Sequence, residues 1–367
     1  MSQPGADPTD RRFTIRDIAS LSGVSIATVS RVLNNHPDVS PSTREKVLRH
    51  AREHSYVANR SALGHSGKKR TGLIGLTTPY LGPDYFAQIV AAAAGALFER
   101  DLRLMVCLAE HKHDRETSLL ESFTHGVIDG ALLILPSQSQ EELHLLRERL
   151  PIVIIDPVQP IQPIRVGRKG IPVVSAAHRE GARLMTEYLI GLGHKHIGVV
   201  SGPMSGLASQ QRLSGDRLAL AEYRLPYNES LIFSDTAFMV EDGIKAGKYL
   251  LDLHLRPEER PTAIFAFNDA MAIGVLQEAR KRSLRVPEDL SIAGFDDVQI
   301  AQCAIPRITT VRQPLQELGR VAVDLLSRLI AGHSLEETRV ELSTQLEEDK
   351  DEPKSTSSPR AASPLEG

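Results

Sequence analysis

A chain of 367 residues is too long for one ordinary hydrophobic core and suits two or three domains. Its 41% hydrophobic and 24% charged residues are globular in balance, and no apolar run approaches the roughly 20 residues of a membrane span. The net charge of −3 hides an asymmetry: residues 1–70 hold twelve Lys/Arg against six Asp/Glu, which leaves −9 on the remainder. A basic block on an acidic body suits a polyanion contact confined to one end.

Cys107 and Cys303 are too few for a disulfide framework. The polar leader, residues 1–12, has no apolar stretch to direct secretion, so the expected location is cytoplasmic, at the nucleoid. In chain order, 13–56 reads as helices alone. Thr14 opens the first with an acid, Asp17, at the third helical position, a capping-box arrangement. Ile15, Ile18, Ala19 and Leu21 supply its apolar face, and Gly23 provides the turn. Ser25 caps a second helix, Ile26 to Leu33, with Val29 and Val32 inward. Ser40-Pro41 starts a third, whose inner face is Val47, Leu48 and Ala51. Two helices across a glycine turn, closed by a third, form a helix-turn-helix.

The second helix of such a unit presents its early side chains to the major groove. Ile26 and Ala27 are placed to touch thymine methyls and Arg31 to take guanine through a bidentate contact. Thr14, Ser25, Thr28, Ser30, Asn34 and Arg44 suit phosphate oxygens.

After a linker, 57–70, the pattern becomes apolar strand-like runs alternating with amphipathic helices. The runs are Leu73–Thr77, Leu102–Leu108, Ala131–Leu135, Ile152–Ile155, Ile197–Val200, Ala263–Phe267 and Ser291–Phe295. Helical stretches between them include Phe86–Arg100, Glu116–His125, Gln140–Arg149, Gly181–Leu192, Met239–Leu253 and Ala270–Arg282. Fully apolar strands alternating with helices imply parallel sheets covered on both faces. The series restarts at His196, so two doubly wound lobes are expected over 71–346, with crossings near 160–172, 296–300 and 328–334. The charged, Ser/Pro-rich tail, 347–367, cannot bury enough apolar surface to order itself.

Thr14-Ile-Arg-Asp-Ile-Ala19, Gly23-Val-Ser-Ile-Ala-Thr-Val-Ser-Arg-Val-Leu-Asn34 and Val39-Ser-Pro-Ser-Thr-Arg-Glu-Lys-Val47 closely resemble the headpiece of the LacI/GalR family. Gly193-His194, Phe267-Asn-Asp-Ala-Met-Ala272, Gly294-Phe-Asp-Asp297 and Thr309-Thr-Val-Arg-Gln-Pro314 extend the resemblance to about Ser343. It implies an α/β chain: a three-helix DNA-binding headpiece on a two-lobed, periplasmic-binding-protein-like (type I) domain. It also implies a homodimer on a pseudo-palindromic double-stranded operator, a small sugar-like effector between the lobes, and repression as the output.

The linker departs from the family pattern. The resemblance places Tyr56 and Asn59 at the DNA, where a hinge helix wedges a leucine into the minor groove. Here Ala58 replaces the usual proline, Leu63 stands where arginine is common, and His65 takes the leucine position. Three readings stay open: Leu63 as a shifted wedge, His65 as a polar contact, or a flexible linker favoured by Gly64 and Gly67.

Ligands of open α/β sheets collect at the carboxyl ends of the strands. Those ends offer Thr77 to Tyr80, Asp156, Asn268-Asp269 and Asp296-Asp297. Arg212 is the obvious donor for sugar hydroxyls. The resemblance assigns the effector grip to Arg212 and Asp296, with Asn268 near and Phe238 as a stacking ring. Tyr80, Tyr85 and Phe86 are candidates for the opposite wall, each weighed against ordinary core. Asp156 and Asp269 are weighed as helix caps as well as ligands. At Ala177-His178 the chain departs from the family, which commonly has an acid there.

An enzyme is not expected. Nucleophile-elbow, Walker, dinucleotide and zinc-protease motifs are absent from the sequence, and adjacent Asp296 and Asp297 point opposite ways on a strand. Neither cofactor nor metal is expected, since His111 and His113 lack partners. A transporter's solute-binding protein is the other rival. It would need export and would have no use for a headpiece.

Overall fold

The computed structural model describes residues 13–33, 36–54, 70–82, 84–162, 170–234, 236–252, 256, 259–335 and 337–348. The chain divides into two compact units, 1–71 and 72–367.

The first unit holds α1 (Ile15–Ser22), α2 (Ile26–Leu33) and α3 (Pro41–Glu53). Thr14 and Asp17 form the reciprocal capping box that starts α1, and Gly23, at φ 64°, ends it. Ser40 caps α3 with Pro41 in its first turn. Ile18, Ala19, Val29, Val32 and Val47 make the core. Leu21 and Leu48, expected to face inward, are exposed. On α1 the buried set Ile18, Ala19, Ser22 follows the three- and four-residue helical spacing, which leaves Leu21 off the face.

In the second unit the order is β1 (Leu73–Thr78), α4 (Asp84–Phe98), β2 (Arg103–Leu108), α5 (His113–Phe123), β3 (Gly130–Ile134), α6 (Gln140–Arg149), β4 (Ile152–Ile155) and β5 (Val173–Ala176). Then come α7 (His178–Gly191), β6 (Ile197–Val200), α8 (Leu207–Glu222), β7 (Ile232–Phe233), α9 (Val240–Leu251), β8 (Ala263–Ala266), α10 (Asp269–Lys281) and β9 (Ser291–Ala293). The series closes with α11 (Gln299–Gln302), β10 (Thr310–Arg312), α12 (Leu315–Ile330), β11 (Arg339–Leu342) and β12 (Gln345–Glu347).

The first lobe's sheet runs β11-β5-β4-β3-β1-β2 and the second's β7-β6-β8-β9, both wholly parallel. An antiparallel β10–β12 pair extends the second through a bridge from Ala293 to Thr309. Ile89, Ala93, Leu318 and Ala322, from α4 and α12, pack on one face of the first sheet. Leu120, Phe123, Leu143 and Leu146, from α5 and α6, cover the other. In the second lobe, α7 packs on α8 and α9 on α10. Right-handed crossovers place these pairs on opposite faces of its sheet.

The chain crosses between lobes later than its sequence suggests. The crossing expected at 160–172 falls after β5, because Val173 and Val174 still pair with β4. The one expected at 296–300 falls between β10 and α12, since Asp296 and Arg312 remain bridged within the second lobe. The third, expected at 328–334, falls at 343–344, after β11 has joined the first sheet beside β5. The crossing segments bind one another: Ala177 N–H donates to Leu342 O at 2.8 Å, and Thr344 Oγ1 to Ala177 O at 3.5 Å.

Candidate functional site

In the first unit, the Gly23 turn lets α2 begin three residues after α1's cap. Ser25 Oγ accepts from Thr28 N–H at 3.1 Å and contacts Thr28 Oγ1 at 2.9 Å, fixing the first turn of α2. With Val29 and Val32 inward, the opposite face is set: Ser25, Ile26, Ala27 and Arg31 are exposed, while Thr28 and Ser30 are half-buried. Ile26 is 46% exposed, unusual for its type and suited to an apolar contact outside the unit. Two proposed phosphate contacts are otherwise engaged. Thr14 Oγ1 donates to Asp17 at 2.7 Å, and Arg44 Nη2 donates to the His36 carbonyl at 2.5 Å, pinning the loop before α3. Asn34, Tyr56, Asn59, Leu63 and His65 lie outside the described residues.

In the second unit, the carboxyl ends of both sheets meet over one buried polar network. Asp156, after β4, accepts from the Tyr85 hydroxyl, from Ala176 N–H at 3.2 Å and from His178 Nε2 at 3.2 Å. His178 Nδ1 lies 3.3 Å from Arg212 Nη2, so the ring protonated at Nε2 satisfies both neighbours. Arg212, on α8, donates Nη1 to the Phe267 carbonyl and stacks its guanidinium 3.8 Å above the Phe295 ring. Its Nη2 stands 3.8 Å from Asp296 Oδ1, too far for a hydrogen bond. Asp296 accepts instead from Gln313 Nε2 at 2.5 Å. Asp156, His178, Arg212, Asp296 and Gln313 are all buried.

Burial sets the charges here. It works to raise Asp156, but His178 and the hydrogen bonds from Tyr85 and Ala176 outweigh it and hold the carboxyl below its ordinary value. Burial pushes Asp296 up to about 7, despite Arg212 and Gln313. Arg212 is lowered by burial, which its surrounding acids oppose. Among the described residues, Arg212 Nε and Gln313 Oε1, in this network, have no hydrogen-bond partner: one is a donor, the other an acceptor.

Backbone strain gathers at the same edge. Leu135, Asp156, Phe238, Asp296 and Asp297 all have positive φ, between 47° and 126°. Non-glycine residues held in such conformations concentrate at functional sites. Phe238 lies directly over Gly202, where a Cβ would stand 2.0 Å from the ring, so only glycine fits beneath it.

Several expected site residues have structural duties. Phe86 is 8% exposed within the first lobe's core. Asn268 caps α10, accepting from Met271 N–H at 2.9 Å, and donates to the Phe238 carbonyl at 2.9 Å. Asp269 does not cap a helix; it accepts from Thr310 Oγ1 at 2.6 Å and Val298 N–H at 2.9 Å, tying α10 to the second lobe's edge. Asp297 points away from Asp296 onto Arg312, at 2.7 Å. Tyr80 packs edge-on against His111. His178 and Gln313 were not anticipated as members of the network. The off-pattern Ala177-His178 pair was the only signal for the first, and Gln313 stood unassigned inside a quoted block.

Residues 14–59 match the model of bacterial regulatory proteins of the lacI family, and 186–348 match a periplasmic binding protein-like domain. The HTH-type transcriptional regulator DegA of Bacillus subtilis is 34% identical over 312 residues, 84% of this chain and 88% of that protein. The chain belongs to the LacI family. The lac repressor dimer bound to operator and the anti-inducer ONPF superposes with a TM-score of 0.77 at 27% identity, covering 93% of this chain and 99% of that one. The regulator CelR in complex with cellobiose gives 0.66 at 30% identity, covering 92% and 98%. This LacI-family chain is thus a transcriptional regulator by kinship, and the enzyme and solute-carrier readings fall away. Among the described residues no helix is long and apolar enough to cross a membrane.

Proposed function

We propose that the chain represses transcription by binding a pseudo-palindromic operator as a homodimer, with a small sugar-like effector between the lobes tuning that affinity. In this reading residues 13–56 read the DNA, 57–70 link, and 71–346 hold the effector and the dimer contact. The observation that carries it is the exposed start of α2, with Ile26, Ala27 and Arg31 set outward by a core that fixes Val29 and Val32 inward. Arg31 then takes a guanine and the two apolar residues take thymine methyls.

The unpartnered Arg212 Nε and Gln313 Oε1 support a hydroxyl-bearing effector. Each buried unmet polar atom costs about 1–3 kcal/mol, and a hydroxyl both donates and accepts. Arg212, Asp296 and Gln313 then hold the ligand, Phe238 stacks on it, and Tyr85 and Asp156 close the first-lobe side. Coupling between the two sites is expected at about 1–3 kcal/mol.

Selection of bound sequences from randomised duplex DNA tests the first claim. The expected product is an inverted repeat; no enriched sequence sinks it. A thermal-shift screen of cellobiose, galactose and hypoxanthine tests the second. Arg212→Ala is expected to abolish any shift while DNA binding persists, and a retained shift discredits the interlobe site.

A further inference from the structure

The last turn of α3 brings together His50, Glu53 and His54. One ligand atom from each lies within 4.8 Å of the others. Spacing explains the convergence: positions i, i+3 and i+4 of a helix share one face.

His50 Nδ1 stands 3.3 Å from Glu53 Oε2, yet among the described residues this buried nitrogen makes no hydrogen bond. A ring nitrogen and a carboxylate oxygen stand at ion-pair distance without the alignment of a hydrogen bond. Two ligands bonded to a tetrahedral zinc at about 2.0–2.1 Å are separated by about 3.3–3.4 Å, the spacing found here. The other carboxylate oxygen, Oε1, is engaged only loosely, by Arg49 at 4.0 Å. Arg52 turns its Nε back to the Leu48 carbonyl at 3.3 Å and does not compete. The His54 ring is held by stacking on Phe13, centroids 4.2 Å apart, which orients the ring through its face. The carbonyl end of a helix also favours a cation.

We propose that His50, Glu53 and His54 form a site for a divalent transition ion of the zinc class, with three protein ligands and an open fourth position. Two imidazoles and a carboxylate match zinc, nickel and cobalt rather than calcium or magnesium. An ion here fastens the last turn of α3 and stiffens the headpiece at its carboxyl end. The inference stands apart from the operator and effector readings, since its readout is metal binding itself.

Full-length protein stripped with EDTA and dialysed is titrated with ZnCl2 by calorimetry at pH 7.5, and with CoCl2 by visible absorption. One zinc equivalent is expected to bind tightly. His50→Gln and His54→Gln should each weaken this binding at least tenfold and remove the tetrahedral cobalt band. Glu53→Gln, at an exposed position that cannot disturb the core, should weaken it several-fold and serves where a histidine variant fails to fold. Zinc isotherms unchanged in all three variants overturn the proposal. So does loss of the tight site on changing His111 and His113 instead.

Discussion

Asp216 offers a prediction whose magnitude comes directly from its surroundings. It sits on α8, 1% exposed, with one hydrogen bond, from Thr186 Oγ1 at 2.8 Å. Burial raises its carboxyl to about 6 from an ordinary 3.8, against opposing effects from Thr186 and Arg217. The difference corresponds to about 3 kcal/mol. Folding raises this group, so the folded chain holds the proton at a pH where the unfolded chain has released it. The resulting penalty on stability is full above about pH 7, falls to roughly half by pH 5 and is gone below about pH 4.

Asp216→Asn removes the charge and keeps an acceptor for Thr186. The new amide donors border a cavity of about 280 Å³, shared with His196, Tyr227 and Asn228, where water can meet them. The variant is therefore expected to gain up to about 3 kcal/mol at pH 8. At about 2–4 °C per kcal/mol for a body of this size, its melting temperature rises by several degrees. Differential scanning calorimetry at pH 8, 6.5 and 5 checks this, with the gain shrinking steadily as pH falls. A variant melting below the parent at pH 8, or a gain independent of pH, refutes the reasoning.

Other expectations follow from the two sites. Arg31→Ala should cost about 1–3 kcal/mol in operator affinity, roughly five- to 150-fold by fluorescence anisotropy, and relax preference at one base pair. Gly202→Ala places a Cβ 2.0 Å from the Phe238 ring; it should displace that ring and weaken effector binding by calorimetry while DNA affinity without ligand stays unchanged. His178→Gln takes the shared partner from buried Asp156 and Arg212. Leaving a buried polar group without its hydrogen-bond partner costs about 1–3 kcal/mol, and thermal melts should show Asp156→Asn recovering part of that loss in the same background.

Most of the apolar strands were legible because they are continuous runs buried on both faces, as β3 and β4 are throughout; β2, at the sheet's edge, is apolar but only half-buried. β11, Arg339–Leu342, alternates exposed and half-buried residues at the sheet's edge and left no such run. The inner face of α8 mixes Ser209, Arg212, Gly215 and Asp216 with Leu213, Ala219 and Leu220, all buried, so the polar positions weaken its periodic signal. Headpiece caps are local and were read directly from Thr14, Gly23 and Ser40. The lobe crossings are not local: they depend on which sheet a three- or four-residue strand joins, and β5 and β10 do not encode that in their own composition. The same reason hid His178, which meets Asp156 only because the chain crosses at Ala177.

Where the crossings fall bears on how a ligand could act. His178 follows the first crossing and Gln313 lies in the second, so two members of the buried network sit on the segments that join the lobes. Arg212 has its Nη atoms on the Phe267 carbonyl and His178, leaving Nε open. A ligand that takes only Nε leaves these contacts intact and binds whatever the lobe angle. One that draws Nη2 away from His178 frees that ring and loosens Asp156 at the first lobe's edge, so its affinity differs between lobe arrangements. A ligand shifts a conformational equilibrium only by its differential affinity for the two states. If the proposed effector site holds, ligands that compete with His178 for Arg212 are expected to shift the lobe arrangement, and those that only fill the open valence to bind silently.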